Sequence, residues 1–198
     1  MGVQILSGAH YISEGYNILL ARFLASNFDK LAFVEWDISW NTETTSLCAM
    51  AKKPFDYIGA ATRFKKEPEE YMVGFLPERP ELWGNRAGLI EVAWIPQGFA
   101  VASRAMCEKM WDASAAKEYG LHGETIREVF HDGFRDERRY GQDIGWCYDW
   151  RDMGGKVYVD PEIELTHTAA VGHAYTGRLA DWLRSRMADE RRSPKVAS

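Results

Sequence analysis

The sequence predicts an α/β domain in which a mostly parallel central sheet is flanked by helices. Strand-like and helix-like segments alternate along the chain, as they do in layered α/β domains. Residues 31–34 form an uninterrupted apolar run, which is typical of a strand buried on both faces of a parallel sheet. Apolar residues within 13–27 recur at intervals of three and four, which indicates a helix with one buried face.

Similar signals define the other elements. Strands are predicted at 3–6, 56–60, 99–102, 156–159 and 162–166, and shorter ones around 71–75 and 89–94, within or beside the Pro- and Gly-rich stretch 61–88. Helices are predicted at 43–51 behind an Asn41 cap, after a Ser103 cap, at 142–153 and at 176–187. Residues 113–141 are predicted to be a polar loop. The chain is thus one domain over 1–190, with a frayed tail at 191–198.

Composition excludes several classes of protein. Of 198 residues, 46% are hydrophobic and 27% charged, which excludes a disordered or fibrous chain. A net charge of −5 argues against binding nucleic acid through a broad basic surface. The three cysteines are far apart, which favours a reducing compartment. With no signal peptide and no apolar run near about 18 residues, we expect a cytoplasmic protein without a membrane span.

A pair of carboxylates follows the most buried strand. Glu35 and Asp37 are separated by one residue, so in an extended chain they would point the same way and could share one hard cation. The alternative is that they only end a strand and cap a turn.

Asp143 and His167 are the other candidate groups. Asp143 lies at the start of the helix at 142–153, where a carboxylate acts either as a general base or as a first-turn charge. His167 follows a strand and is either a metal ligand or an ordinary satisfied histidine. The basic group Arg63, Lys65 and Lys66 either contacts phosphates or forms a solvated loop.

The order of these pieces resembles the GT-A glycosyltransferases, especially the compact family-2-like versions found in phages and bacteria. The resemblance covers about residues 3–185 and rests on five segments: 33–40 with the acid-x-acid motif, 57–66 with its basic end, 97–104, 142–151 with Gln142-Asp143, and 154–167, which ends in His167.

The resemblance implies a GT-A fold and a nucleotide-sugar-dependent, inverting glycosyltransferase. Glu35, Asp37 and His167 would hold Mn²⁺ or Mg²⁺ against the diphosphate of a UDP- or GDP-sugar, and Asp143 would deprotonate an unknown acceptor hydroxyl. A further five residues would bind donor or acceptor: Trp36, Trp40, Arg63, Gly98 and Gln142.

This chain departs from the family pattern at three places. Gln142 stands where the family has a carboxylate, Glu35 replaces the commoner Asp, and the chain is expected to lack the first strand and helix that bind the nucleotide base. A catalytically incomplete domain that binds a sugar or a partner chain is therefore a second hypothesis. Transfer to a hydroxylated base of viral DNA is a third, against which the net charge of −5 stands.

Overall fold

The computed structural model describes residues 2–5, 9, 11–77, 88–121 and 123–192. Residues 2–5 lie outside any strand, so the strand predicted at 3–6 is not formed there, and Leu6 is outside the described residues. Part of the predicted loop (78–87) and most of the predicted tail (193–198) are also outside them. The two remaining tail residues, 191 and 192, belong to the last helix.

The described residues include five α-helices that pack around the sheets. They are α1 (Ile12–Leu24), α2 (Leu47–Ala51), α3 (Arg104–Ala113), α4 (Gln142–Asp152) and α5 (Leu179–Arg192). The predicted cap of α3 is confirmed, because Ser103 Oγ accepts a hydrogen bond from the Met106 amide at 3.1 Å. Within the described ranges, none of the helices is long and apolar enough to cross a membrane.

The strands are short. They are β1 (Lys30–Val34), β2 (Ile38–Trp40), β3 (Tyr57–Gly59), β4 (Thr62–Arg63), β5 (Tyr71–Met72), β6 (Ile90–Val92), β7 (Phe99–Ser103), β8 (Glu118–Leu121), β9 (Glu124–Arg127), β10 (Gly133–Arg135), β11 (Arg138–Tyr140), β12 (Val157–Val159), β13 (Glu164–Thr168) and β14 (Ala174–Arg178).

The central sheet is mixed and mostly antiparallel. Its five strands run in the order β1-β7-β3-β12-β6. The β1–β7, β7–β3 and β12–β6 pairs are antiparallel, and the β3–β12 pair is parallel. A second, antiparallel sheet has the order β14-β13-β2. The mostly parallel central sheet predicted from the sequence, and implied by the resemblance to GT-A enzymes, is therefore wrong.

The apolar run at 31–34 predicted a parallel strand, and this is wrong because an apolar run carries no information about strand direction. β1 lies at the edge of the sheet, where it pairs with β7. It is not buried on both faces, since Val34 is 44% exposed. β3 and β7 are instead buried at every residue, and in β7 Ala100 and Ala102 face one core while Phe99 and Val101 face the other.

Two layers of side chains enclose the sheet. The larger core contains residues of α1, α3, α4 and α5, including Phe23, Met106 and Trp146. The smaller core lies on the opposite face and contains Met50 of α2 and Leu165 of β13. One face of the central sheet is thus covered by helices and the other by α2 and the second sheet, and the predicted GT-A fold with a mostly parallel sheet is wrong.

Three local predictions also fail. Helix α2 is capped by Ser46 instead of Asn41, whose side chain accepts a bond from the Glu43 amide in a turn. The segment at 113–141 contains two antiparallel hairpins, β8–β9 and β10–β11. The last helix does not start at Thr176, because that residue lies in β14 and pairs with Thr166. Polar residues in these hairpins and strands hid the period-two pattern on which strand prediction depends.

Candidate functional site

The predicted acid pair lies in a tight turn between β1 and β2. The turn is held by hydrogen bonds from the Ile38 amide to the Glu35 carbonyl (3.1 Å) and from the Thr168 amide to the Asp37 carbonyl (2.9 Å). The backbone is therefore not extended, as the prediction assumed, and the two carboxylates have different partners. Glu35 faces α1, and Asp37 faces β13 and the β4–β5 loop.

Asp37 is surrounded by nitrogen atoms. Its Oδ2 lies 2.5 Å from Lys65 Nζ and 3.3 Å from His167 Nε2. Burial acts to raise the pKa of Asp37, but the hydrogen bond and charge of Lys65, together with His167, outweigh it, and the pKa lies below its ordinary value. Asp37 therefore stays ionised and suits a cationic partner.

His167 is fixed by the backbone of β4. Its Nδ1 lies 2.8 Å from the carbonyl oxygen of Arg63. A carbonyl only accepts, so Nδ1 carries the proton, and in the neutral ring the Nε2 lone pair is left beside Asp37. Histidines that bind metals are commonly oriented through such a bond from the other ring nitrogen.

Glu35 and Tyr16 form the second part of the site. Tyr16 Oη donates to Glu35 Oε1 at 3.3 Å, and the Tyr16 ring packs against Phe33 and Phe130. Burial raises the pKa of Glu35, the charges of Asp37 and Asp143 raise it further, and Tyr16 and His167 act in the opposite direction. The three other predicted acid and histidine groups, Asp37, Asp143 and His167, thus all affect the pKa of Glu35.

Asp143 lies in the first turn of α4, and its charge acts on Glu35. Its Oδ1 accepts a bond from the Ile144 amide at 2.8 Å. Burial raises the pKa of Asp143 despite that bond, and the Asp143 charge helps to raise the pKa of Tyr16 and of the buried Tyr57. A partly desolvated carboxylate of this kind is a stronger base than one in water.

The residues predicted to bind donor or acceptor fall into two groups. Trp36, the residue between Glu35 and Asp37, is 89% exposed, and Gly98 lies against Glu35, because a Cβ there would be 3.3 Å from Glu35 Oε2. Trp40, in contrast, packs edge-on against Phe99 at 4.8 Å between ring centroids and belongs to the smaller core.

Arg63 and Gln142 contribute less directly. The Arg63 guanidinium donates to the Thr176 carbonyl and to Glu67, so in this structure it is the Arg63 backbone carbonyl that enters the site. Gln142 is the half-buried first residue of α4, next to Asp143.

Several polar groups of this region were not singled out from the sequence. The sequence predicts only that Tyr16 lies on the buried face of its helix, and it indicates no acidic partner for Lys65. Gln97 is fully buried next to Gly98, and its two amide atoms have no hydrogen-bond partner among the described residues; the same holds for the Thr62 hydroxyl. A Gln-Gly step before a buried strand was the available signal.

The predicted metal ligands fit a divalent cation in part. Asp37 and His167 offer an oxygen and a nitrogen at one point, while Glu35 is bound to Tyr16. Across the described ranges, no group of three or more His, Cys, Asp or Glu side chains is arranged to hold a metal. A two-residue site remains chemically reasonable, because Mg²⁺ beside phosphates commonly uses one or two protein ligands and completes its shell with water and phosphate oxygens.

Comparison with known proteins gives a structural neighbour and no family. No protein-family model and no curated protein matches the chain. The solved structure titled "Crystal Structure of A197 from STIV" is similar, with a TM-score of 0.54 and 18% sequence identity over 86% of this chain and 74% of that chain. At this identity the likeness concerns the fold alone.

Proposed function

We propose that this protein transfers a sugar from a nucleotide-diphosphate sugar, such as a UDP- or GDP-sugar, to an acceptor hydroxyl with inversion at the anomeric carbon. The observation that carries the proposal is that Asp37 Oδ2 lies 3.3 Å from His167 Nε2, in the turn that also holds Glu35, whose pKa is raised further by the charges of Asp37 and Asp143. These residues provide two functions that this reaction needs, namely a base and a cation-binding carboxylate.

Asp143 is the proposed base. In the transfer step its carboxylate takes the proton of the acceptor hydroxyl while the acceptor oxygen forms a bond to the anomeric carbon. The bond from that carbon to the diphosphate oxygen breaks, and its electron pair leaves with the nucleoside diphosphate. The raised pKa of Asp143, caused mainly by burial, brings it closer to the range in which a carboxylate is an effective general base.

Asp37 and His167 are the proposed ligands of Mn²⁺ or Mg²⁺. When bound, the cation supplies positive charge that stabilises the departing diphosphate. Asp37 suits this role because its pKa is held below the ordinary value by Lys65 and His167 against the effect of burial. The Arg63 carbonyl keeps the His167 ring oriented.

Trp36 is the proposed contact for the sugar or the acceptor. Trp36 lies between Glu35 and Asp37 in the sequence and is almost fully exposed, and an exposed aromatic face suits the apolar face of a sugar ring or a nucleobase.

The decisive test measures release of nucleoside diphosphate from UDP- and GDP-sugars in the presence of Mn²⁺. We expect turnover of at least one donor in wild type, and its loss in Asp143→Asn. Asp152→Asn is the matched control, because Asp152 lies on the same helix but pairs with Arg135 on the surface. If no donor is turned over and none binds in a metal-dependent way, the proposal is wrong.

A second function is favoured by one observation. Lys65 occupies Asp37, and the described residues offer two metal-ligating groups instead of three. A domain that binds a sugar or a partner chain without catalysing transfer would need no third ligand. Binding of a nucleotide sugar without any turnover, unchanged in Asp143→Asn, would support this alternative over the enzyme.

A further inference from the structure

Lys65 makes a close contact with the proposed cation site. Its Nζ lies 2.5 Å from Asp37 Oδ2, the same oxygen that lies 3.3 Å from His167 Nε2. The Lys65 side chain is 32% exposed and that of Asp37 is 11% exposed. The ammonium thus sits at the mouth of a mostly enclosed carboxylate, where it satisfies a negative charge that burial would otherwise penalise.

An ammonium and a divalent cation compete for this position. Both need the lone pairs of Asp37 Oδ2, and two positive charges at contact distance repel each other strongly in a partly desolvated site. Lys65 must therefore leave Asp37 before a divalent cation can be bound there.

The surrounding loop allows Lys65 to leave without unfolding. The loop between β4 and β5 is closed by a hydrogen bond that the Phe64 amide donates to the Glu70 carbonyl at 2.9 Å. The pairs Arg63–Glu67 and Lys66–Glu70 join its two sides. Rotation about the side-chain bonds of Lys65 is then sufficient, and its partial exposure gives it a path into solvent or towards a bound anion.

We propose that Lys65 is a built-in counter-ion: it occupies Asp37 in the empty protein, yields that carboxylate to a divalent cation, and then contacts the diphosphate of the donor. The second half of this sequence rests on the proposed function, since it requires a nucleoside diphosphate at the site. Its first half requires only that Asp37 and His167 bind a divalent cation.

The proposal predicts that one substitution changes the affinity for Mn²⁺ and the affinity for a nucleotide in opposite directions. Replacing Lys65 by Met removes the competitor and leaves Asp37 free, so Mn²⁺ alone binds more tightly. The same change removes a positive charge from the diphosphate, so UDP or GDP binds more weakly at saturating Mn²⁺. A merely structural ion pair would not produce this inversion.

The experiment measures both affinities in the full chain. Mn²⁺ binding is followed by electron paramagnetic resonance of free Mn²⁺, and UDP and GDP binding by calorimetry at saturating Mn²⁺. For Lys65→Met we expect Mn²⁺ affinity to rise roughly five- to tenfold, and nucleotide affinity to fall by a similar factor. Asp37→Asn should abolish Mn²⁺ binding.

Lys66→Met is the matched control. It removes the same charge from the neighbouring residue, which pairs with Glu70 instead of Asp37, so it reports the general electrostatic effect. Its Mn²⁺ affinity should stay within about twofold of wild type, because surface pairs contribute little. Thermal melting of each variant checks that it is folded.

The outcomes separate the two proposals. Equal Mn²⁺ affinities in wild type, Lys65→Met and Lys66→Met, or no Mn²⁺ binding by any of them, would overturn the role of Lys65. Tighter Mn²⁺ binding by Lys65→Met with no nucleotide binding by wild type would support the exchange at Asp37 and contradict the proposed function.

Discussion

The Asp37 side of the site contains the ammonium of Lys65, whereas the Asp143 side is lined by buried aromatic groups. Asp37 contacts Lys65 and His167, and its pKa is lowered. Asp143 acts on Tyr16 and on buried Tyr57, and its own pKa is raised by burial. Two aspartates of one site are thus driven in opposite directions by their surroundings.

This difference assigns chemistry to the two sides. A carboxyl whose ionised form is stabilised by cations is suited to hold a cation, and one whose ionised form is desolvated is suited to take a proton. Glu35 lies between them, because the charges of both aspartates act on its pKa. The following predictions test whether the two sides are functionally distinct.

The largest expected effects are a loss of kcat in one aspartate variant and a loss of donor binding in the other. Asp143→Asn should lower kcat by about 10²–10⁴-fold with little change in donor affinity, because it removes the base and no donor contact. Asp37→Asn should instead abolish Mn²⁺-dependent donor binding. Steady-state kinetics combined with calorimetry checks both, and equal losses of rate and binding in the two variants would break the distinction.

The second prediction concerns stability at neutral pH. The raised pKa of Glu35, which burial and Asp37 cause, means that stability falls as the pH rises through it, so Glu35→Gln should raise Tm. The lowered pKa of Asp37 means that its contribution is present above the unfolded pKa and lost as the pH falls through the folded one. Asp37→Asn should therefore lower Tm.

The expected sizes are modest. Loss of a charge-assisted bond at Asp37 costs about 1–2 kcal/mol, or roughly 2–8 °C for a chain of this length. Differential scanning calorimetry at several pH values measures both variants, with exposed Glu43→Gln as the control. Shifts of the same sign for Glu35→Gln and Asp37→Asn would contradict the assignment.

A smaller effect is expected for Tyr16→Phe. Removing the Tyr16 hydroxyl removes the bond that lowers the pKa of Glu35, so that pKa should rise and Glu35 should become ionised at higher pH than in wild type. Carbon-13 NMR of the Glu35 carboxyl measures this directly. An unchanged titration would show that the 3.3 Å contact has no energetic role.

The smallest effect on stability is expected for Trp36→Ala. Because the side chain is 89% exposed, the free energy of unfolding should change by less than about 0.5 kcal/mol. Donor or acceptor binding should still weaken about threefold if the indole stacks on a ligand. Trp40→Ala is the contrasting variant, since Trp40 packs on Phe99 and its loss should lower Tm.

The sequence predicted helices and single strands better than their pairing. Helices α1, α3 and α4 were predictable because periodicity and the Ser103 cap are local signals. The direction of β1 was not, since it depends on β7, about seventy residues further along the chain.

The site was predictable to a similar extent. Acid residues next to strand and helix ends suggested Glu35, Asp37 and Asp143 as candidates. Lys65 and Tyr16 could not be found in this way, because their importance comes from contacts with residues 28 and 19 positions away. Such contacts follow from the tertiary fold and leave no local pattern.

The position of β12 has a consequence for the order of synthesis. β12 inserts between β3 and β6 and is the partner of both. While the ribosome makes the first 150 residues, β7 can already join β1 to β3, but β6 has no neighbour in this sheet until residues 157–159 emerge. The nascent chain therefore exposes unpaired strand edges late in translation, when self-association is the competing reaction. Nonsense truncations just before β12 should accumulate as aggregates, because they leave β6 without its partner in this sheet.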